Sequence, residues 1–253
     1  MISISDSPTK RMKEALSNKS VDSLLEKAVA SKKPMSSFIH ADIFDLDNVL
    51  RAAKKVIEQL ILRDPETKSE LRLFYEALEQ GVINAQQAIQ AILEEDAQWF
   101  QRLSEKFGIE PSLLLFIFET PVRPFFEELA RRVEKEVIET WWDPFCPVCG
   151  RNSTVARMRQ KKRYMSCTYC GAQYLVDLFQ CINCGNKEPA SLGFVAFKDH
   201  PEYELNYCEK CKHYVKVLDD DRLAGKIPQG LEDLLTRDLD ILAAGQELGL
   251  KRA

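Results

Sequence analysis

The chain has 253 residues, a formal net charge of −4 and charged side chains at 29% of its positions, which is ordinary for a globular protein of one or two domains. The negative net charge gives no overall attraction to nucleic acid or to anionic lipid. The first residues lack the apolar segment of a secretory signal, and the apolar run from Leu113 to Phe118 is too short to cross a bilayer. We therefore expect a cytoplasmic protein with reduced cysteines.

Residues 1–140 are predicted to form an all-helical domain. Apolar residues at three- and four-residue steps predict helices over about 10–29, 46–62, 66–80 and 84–107, with a polar loop over 31–45. Asn84 and Gly108 bound the fourth helix as N-cap and C-terminal stop, and Asp96 falls beside its apolar stripe as a solvated or paired acid. A short apolar helix over 111–119 is predicted to end at Pro121, before a last helix to about residue 142.

Four Cys-x-x-Cys motifs contain all eight cysteines of the chain. Two residues between paired cysteines let a tight turn direct both sulfurs to one tetrahedral ion, and Gly follows three of the pairs, where the turn favours a positive φ. The spacing between the motifs pairs them in order. Site one is predicted to contain Cys146, Cys149, Cys167 and Cys170, and site two Cys181, Cys184, Cys208 and Cys211.

Other uses of these cysteines are less consistent with the pattern. Disulfide frameworks are typical of small secreted proteins, and a redox motif of the thioredoxin type needs one pair near a βαβ unit. Only ten residues separate Cys170 from Cys181, so a swapped pairing of the motifs is sterically conceivable. Four thiolates leave no open position for a reactive water, so we predict two tetrathiolate-bound metal ions and no enzyme activity.

Each pair of motifs surrounds a predicted β-hairpin, formed by 154–159 with 163–166 and by 191–197 with 203–207. We therefore predict two zinc-ribbon or rubredoxin-like modules, over 141–176 and 177–218, which are too small to fold without metal. The linking sequence GAQYLVDLFQ predicts a strand that joins them rigidly. The tail, 219–253, is predicted to be an amphipathic helix that packs back on a ribbon or on the helical domain through Leu234, Leu235, Leu239, Leu242 and Ala243.

The run RMRQKKR, from Arg157 to Arg163, places five positive charges at the tip of the first hairpin. Such a tip could bind the phosphates of nucleic acid or an acidic protein surface. An exposed charged hairpin tip is equally ordinary in a protein with no such partner.

The order of motifs resembles the FdhE-type family of formate dehydrogenase accessory (formation) proteins. The likeness is carried by VRPF, WWDPFCPVCGR, RYMSCTYCG, FQCINCG, YCEKCKHYVKV and DLLTRDLDILAAGQ, over about the last 140 residues. Tyr174 and Leu178 stand where the family usually has Trp and Arg, which indicates a distant member.

The resemblance implies a helical domain followed by two rubredoxin-like modules that bind iron or zinc. It also implies a cytoplasmic, non-catalytic chaperone that binds the catalytic subunit of a molybdenum- or tungsten-dependent formate dehydrogenase and supports its assembly. Two other functions remain open from the residues alone: rubredoxin-like electron transfer or redox sensing, and nucleic-acid binding by a zinc-ribbon protein.

Overall fold

The computed structural model describes residues 10–63, 68–133, 140–225, 227–228, 230–245 and 249–252. The chain divides into two compact units. The first contains Met1–Ser23 and Ser36–Glu128, and the second contains Leu24–Met35 and Leu129–Ala253. The predicted fold class is confirmed, because a helical region precedes a sheet region that carries two groups of four cysteines.

Helices make up the regular structure from residue 10 to residue 132. They are α1 Lys10–Ala15, α2 Asn18–Ser31, α3 Leu46–Arg63, α4 Lys68–Glu79, α5 Ala85–Leu93, α6 Ala97–Phe107 and α7 Pro111–Arg132. The predicted polar loop contains two short 3-10 helices, Met35–Phe38 and Ala41–Ile43. It also buries Ile39 and Phe44, and the Phe44 ring packs edge-on against Phe125 at 5.1 Å. The segment is a loop, as predicted, but its apolar side chains are buried.

The predicted first helix is two helices, because a second one begins after Ser17. The Ser17 hydroxyl accepts a hydrogen bond from the Ser20 backbone N–H at 3.4 Å, as an N-cap residue does. The end of α3 is predicted at Asp64-Pro65, which lies outside the described residues, as do residues 134–139 of the predicted last helix.

The predicted helix over 84–107 is also two helices, and Asp96 separates them. Its carboxylate accepts hydrogen bonds from the backbone N–H groups of Gln98 at 3.0 Å and Trp99 at 3.1 Å, so it caps α6. The preceding residue, Glu95, has a φ of 54°, which ends the helical path of α5. The predicted boundaries are confirmed, since Asn84 caps α5 and Gly108 ends α6 at a φ of 70°.

Replacement of Asp96 by Ala is expected to lower the free energy of unfolding of the helical region by about 1 kcal/mol, because two backbone N–H groups lose their acceptor. Asp96→Asn keeps an acceptor oxygen and is expected to stay within a few tenths of a kcal/mol of the wild type. Urea denaturation followed by circular dichroism measures both. Equal losses in the two variants would show that the carboxylate charge, and not the cap, stabilises α6.

Helix α7 continues through Pro121 and Pro124, so the predicted break at Pro121 was wrong. Proline lacks an N–H group, and an interior proline costs a helix about 3 kcal/mol. Thr120 donates its hydroxyl to the Phe116 carbonyl at 2.7 Å, one residue before the Ile117 carbonyl that Pro121 leaves without an N–H partner. The continuous helix is stabilised by burial of apolar side chains after Pro121, at about 1.5–3 kcal/mol each. These residues are Val122, Phe125, Phe126 and Leu129.

The second unit contains one mixed β-sheet. Its strands are β1 Val155–Arg159, β2 Lys162–Ser166, β3 Gln173–Val176, β4 Leu192–Phe197, β5 His200–Cys208, β6 His213–Asp219 and β7 Lys251–Arg252. The order is β3-β2-β1-β6-β5-β4, with β7 also paired to β6. Both predicted hairpins are present. The turn of the second hairpin is shorter than predicted, because β5 already begins at His200 and leaves only Lys198 and Asp199 between the two strands.

The two predicted ribbon modules are joined through the sheet. Strands β1 and β6 pair in parallel, from Val155 opposite Lys216 to Met158 opposite Asp219, so strands of both predicted modules belong to one sheet. The linking sequence does not make this connection, because β3 pairs with β2 and remains at the edge of the first module.

The tail contains two short helices, α8 Glu232–Leu235 and α9 Arg237–Ala244, where one helix was predicted. It packs back on the second ribbon, as expected, since Leu239 and Ala243 contact a cluster that includes Leu205 and Tyr214. The predicted inward residues Leu234, Leu235 and Leu242 are exposed. The buried positions are Glu232, Thr236, Leu239 and Ala243. Residues 246–248 of the predicted helix lie outside the described residues.

Within the described ranges, none of the helices combines the length and the apolar character that crossing a membrane requires.

Candidate metal centres

The four sulfurs predicted for site one lie together. They lie within 4.8 Å of one another, and all four cysteines are buried. The Sγ atoms of Cys146 and Cys170 are 3.5 Å apart, as are those of Cys149 and Cys167. A tetrahedral ion with metal–sulfur bonds of 2.3 Å places its sulfurs about 3.8 Å apart. The geometry of site one therefore fits one tetrathiolate-bound ion.

The sulfurs predicted for site two are also assembled, which supports pairing of the motifs in sequence order. Cys181 and Cys211 have Sγ atoms 3.6 Å apart, and those of Cys184 and Cys208 are 3.8 Å apart. The two sites differ in access to solvent, because Cys184 is exposed and Cys211 is half-buried. Asn186 donates its side-chain amide to the Cys208 sulfur at 3.5 Å.

All four knuckles have the same backbone turn. The carbonyl of the first cysteine accepts the N–H of the residue four positions on, in the pairs Cys146–Gly150, Cys167–Gly171, Cys181–Gly185 and Cys208–Lys212, at 2.8–2.9 Å. The three glycines have φ between 71° and 83°. Lys212 takes the same conformation with a φ of 60°, so the fourth knuckle closes without glycine at a cost in backbone strain.

The charge of the thiolates explains why a cation suits these clusters. Burial raises the pKa of the Cys146 and Cys170 thiols well above their usual value, and it raises the pKa of Cys181 to about 12. Burial acts the same way on Cys208, but the N–H groups of Cys211 and Lys210 outweigh it and lower its pKa to about 7. Four thiolates in a buried site need a positive partner. Divalent iron or zinc fits this donor set.

A chelator is expected to remove metal from the protein in two phases of equal amplitude, because Cys184 is open to solvent whereas site one is buried. The fast phase is assigned to site two. Stopped-flow absorbance with a chromogenic chelator measures the phases, and Cys184→Ser should accelerate the fast phase and leave the slow one unchanged. A single phase that releases both ions together would contradict this assignment.

Tyr174, one of the two departures from the family pattern, supports site one. Its side chain is fully buried, and its hydroxyl donates to the Pro144 carbonyl at 3.1 Å and lies 3.2 Å from the Ser153 hydroxyl. Tyr174 therefore holds the segment that leads into the first knuckle. The other departure, Leu178, is exposed on the link between the modules.

The basic hairpin tip predicted from the sequence does not form as expected. The Arg157 and Arg163 side chains are buried, and only Lys161 and Lys162 of the five charged residues are exposed. Arg163 donates from Nη2 to the Gln180 carbonyl at 2.6 Å and to the carbonyl of Asp177, which holds the link between modules. Burial lowers its pKa to about 10. The nucleic-acid function therefore loses the feature that suggested it.

Arg157 belongs to a buried ionic group that sequence reasoning missed. Its guanidinium lies 2.9 Å from Asp220 and 2.9 Å from Glu232, whose carboxylate also accepts from the Ser166 hydroxyl at 3.0 Å. Burial alone would lower the pKa of Arg157, but the two carboxylates outweigh it and raise that pKa. The acids lie more than sixty residues from Arg157 in the chain, so spacing gave no signal for this group.

Lys216 forms a second buried ionic group beneath the tail. Its side chain is fully buried, and its ammonium lies 2.8 Å from Asp233 and 2.9 Å from Asp240. Tyr214 donates its hydroxyl to Asp240 at 2.8 Å, and Arg252 pairs with Asp233. The two ionic groups attach the tail helices to the sheet that joins the modules.

No family model matches the chain. A curated relative named "Protein FdhE homolog", from Aquifex aeolicus (strain VF5), is 30% identical over 144 residues, which cover 55% of this chain and 50% of the relative. The chain thus spans about half of the length of that relative. The crystal structure of the FdhE protein from Pseudomonas aeruginosa matches with a TM-score of 0.53 and 18% identity, over 96% of this chain and 83% of that one. These likenesses, one in sequence and one in fold, confirm the resemblance to FdhE-type proteins that the order of the cysteine motifs indicates.

Proposed function

We propose that the protein is an accessory factor that supports the maturation of formate dehydrogenase by binding its molybdenum- or tungsten-dependent catalytic subunit in the cytoplasm. The observation that carries this proposal is the pair of assembled sulfur tetrads in a chain that is similar to FdhE proteins in sequence and in fold. The family resemblance supplies the client enzyme.

The metal ions in this proposal have a structural role. Each cluster provides four protein ligands, so a tetrahedral iron or zinc ion has no position left for a substrate or a reactive water. Site one fixes the knuckles on either side of the β1–β2 hairpin, and site two those on either side of the β4–β5 hairpin. The sheet held between them can then present a fixed surface to an immature client.

Affinity purification from the native host under anaerobic conditions tests the proposal. The formate dehydrogenase catalytic subunit is expected to co-purify with the tagged protein. A strain that lacks the gene is expected to lose formate dehydrogenase activity while it still makes the catalytic polypeptide. Full activity in that strain, together with no enrichment of the subunit, would contradict the proposal.

Rubredoxin-like electron transfer at site two is the second candidate function. It is favoured by the exposure of Cys184, because an electron-transfer centre must approach the protein surface. Visible absorption of the oxidised protein and a reversible reduction potential, both altered in Cys184→Ser, would support it. A colourless protein that contains two zinc ions per chain would exclude it.

A further inference from the structure

Among the described residues, no strand pairs with the outer side of β4. It ends the strand order in the part of the sheet that the structure describes, and its sequence, LGFVAF, contains no charged residue and no proline. Edge strands usually carry such residues because their free backbone groups pair with other chains. The Phe194 side chain is 68% exposed. A bulge interrupts the strand only at its end, between Ala196 and Phe197.

The ladder between β4 and β5 shows which backbone groups face outward. The Glu209 N–H donates to the Ser191 carbonyl at 2.9 Å, and alternate residues of an antiparallel pair bond to the partner strand. Phe194 lies opposite Asn206, three residues along the strand from Ser191. These two residues therefore form one of the alternate pairs that do not bond to each other. The amide and carbonyl groups of Phe194 and Ala196 therefore point away from β5, where an added strand would bond to them.

A cleft with a volume of about 240 Å³ lies beside this edge. Strands β4, β5 and β6 line it together with the segment that leads into site two. Three exposed apolar side chains lie on its rim: Leu178, Phe179 and Phe194. The volume is below the 300–1,000 Å³ that is usual for small-molecule sites, and it suits one large side chain of a peptide.

The polar groups in the cleft indicate an uncharged occupant. Arg163 and Glu204 are the charged residues of the lining, one of each sign. Arg163 bonds to backbone carbonyls, and the Glu204 carboxylate accepts from the Asn206 amide at 2.7 Å. His213 also lines the cleft, with its Nδ1 atom 2.8 Å from the Cys211 carbonyl. Since the Arg163 and Glu204 side chains carry one charge of each sign, these two residues give the cleft no net charge to attract an ionic ligand.

We propose that the β4 edge and this cleft bind an extended, uncharged segment of the client polypeptide, which adds a strand to β4 and inserts one large apolar side chain beside Phe179 and Phe194. The inference rests on the proposed function, because it names the surface by which the accessory factor contacts its client. Cys181 and Cys208 line the same cleft, so metal binding at site two would shape the surface that the client contacts.

Short overlapping peptides that cover the formate dehydrogenase catalytic subunit of the same organism test the proposal, with fluorescence anisotropy on the metal-loaded full-length protein. Phe194→Lys and Phe179→Lys are expected to weaken the binding of the best peptide by about tenfold or more, because each places a charge on the docking surface. Ile241→Lys is the matched control, since Ile241 is 72% exposed on α9, outside the cleft lining, and should leave affinity within about twofold. The melting temperature and metal content should be unchanged in all three.

Several results would overturn the proposal. If Phe194→Lys binds the peptide with wild-type affinity, the edge is not part of the interface. The same conclusion follows if the intact catalytic subunit binds the protein but none of its peptides does. A wild-type dimer that becomes monomeric in Phe194→Lys, without a change in peptide affinity, would assign the edge to contact between copies of this chain. If the intact catalytic subunit binds the wild type and both lysine variants equally, only this docking surface is rejected. If the intact subunit does not bind the wild type, the proposed function itself is rejected.

Discussion

A Cys146→Ser variant is expected to lose one equivalent of metal and the folded structure of the first ribbon module. Cys146 is fully buried and belongs to a tetrad with sulfur separations of 3.5 Å. Structural zinc sites contribute on the order of 10–16 kcal/mol, which is comparable to or larger than the whole stability of a typical domain. A buried hydroxyl cannot replace the thiolate, since it binds these metals weakly and remains protonated.

The matched variant is Cys184→Ser, which removes one thiolate from the exposed site. We expect a smaller loss of stability there, because water can reach the ion and supply a fourth ligand. Metal content by mass spectrometry and the unfolding temperature of each variant measure the difference. Expression of each variant in the gene-deletion strain adds a measurement of formate dehydrogenase activity, which the proposed function makes dependent on this protein. Two bound ions and an unchanged unfolding temperature in Cys146→Ser would rule out a structural metal at site one.

A Lys216→Met variant is expected to lower the free energy of unfolding by about 3 kcal/mol, because it leaves two carboxylates without their buried cation. Met approximates the length of the lysine chain, so little packing is lost. Asp233 and Asp240 remain about one-quarter exposed and can regain part of their hydration, which places the loss at the low end of the range for buried pairs. Denaturant unfolding of the full-length protein measures it.

Lys187→Met is the control for charge removal. Lys187 pairs with Asp177 at 3.4 Å, but its side chain is 62% exposed, so the loss should be below about 1 kcal/mol. Equal losses in the two lysine variants would show that the buried position of Lys216 contributes nothing special.

The pH dependence of stability gives an independent check on the Lys216 group. Burial tends to raise the pKa of Asp233, but Lys216 and Arg252 outweigh it, so the pKa is lowered from its ordinary value of 3.8. A lowered pKa contributes stability that is present above the ordinary value and is lost as the pH falls below it. The stability difference between wild type and Lys216→Met should therefore shrink below about pH 4. A difference that stays constant to lower pH would contradict this linkage.

Local sequence signals predicted which cysteine sulfurs lie together in each tetrad. Two-residue spacing within each cysteine pair predicts a knuckle, and all four knuckles close with the same backbone hydrogen bond. The separation between motifs indicated which pairs share a site, because a short hairpin returns the chain to its starting point. Asn84 and Gly108 were recognised for the same reason, since a helix cap acts within a few residues of itself.

The prediction of helices was wrong where a local signal had to be weighed against distant packing. Pro121 indicated a break, yet α7 continues because the apolar residues on both sides of it are buried. The leucines of the tail indicated an inward face, but Leu234 and Leu235 are exposed and Glu232 is buried, since Arg157 provides a partner for its carboxylate. A residue pattern contains no information about a partner that lies seventy-five positions away.

The sequence by itself determined the two sulfur tetrads, the hairpins between their knuckles and the likeness to FdhE proteins, because each depends on short spacings or on motif order. Only the tertiary structure decided that β1 and β6 pair in parallel, that Arg157 and Arg163 turn inward from an apparent basic tip, and that site two is the more exposed centre. These features depend on which distant segments share a surface, and that choice is made by the summed burial and charge pairing of the whole unit.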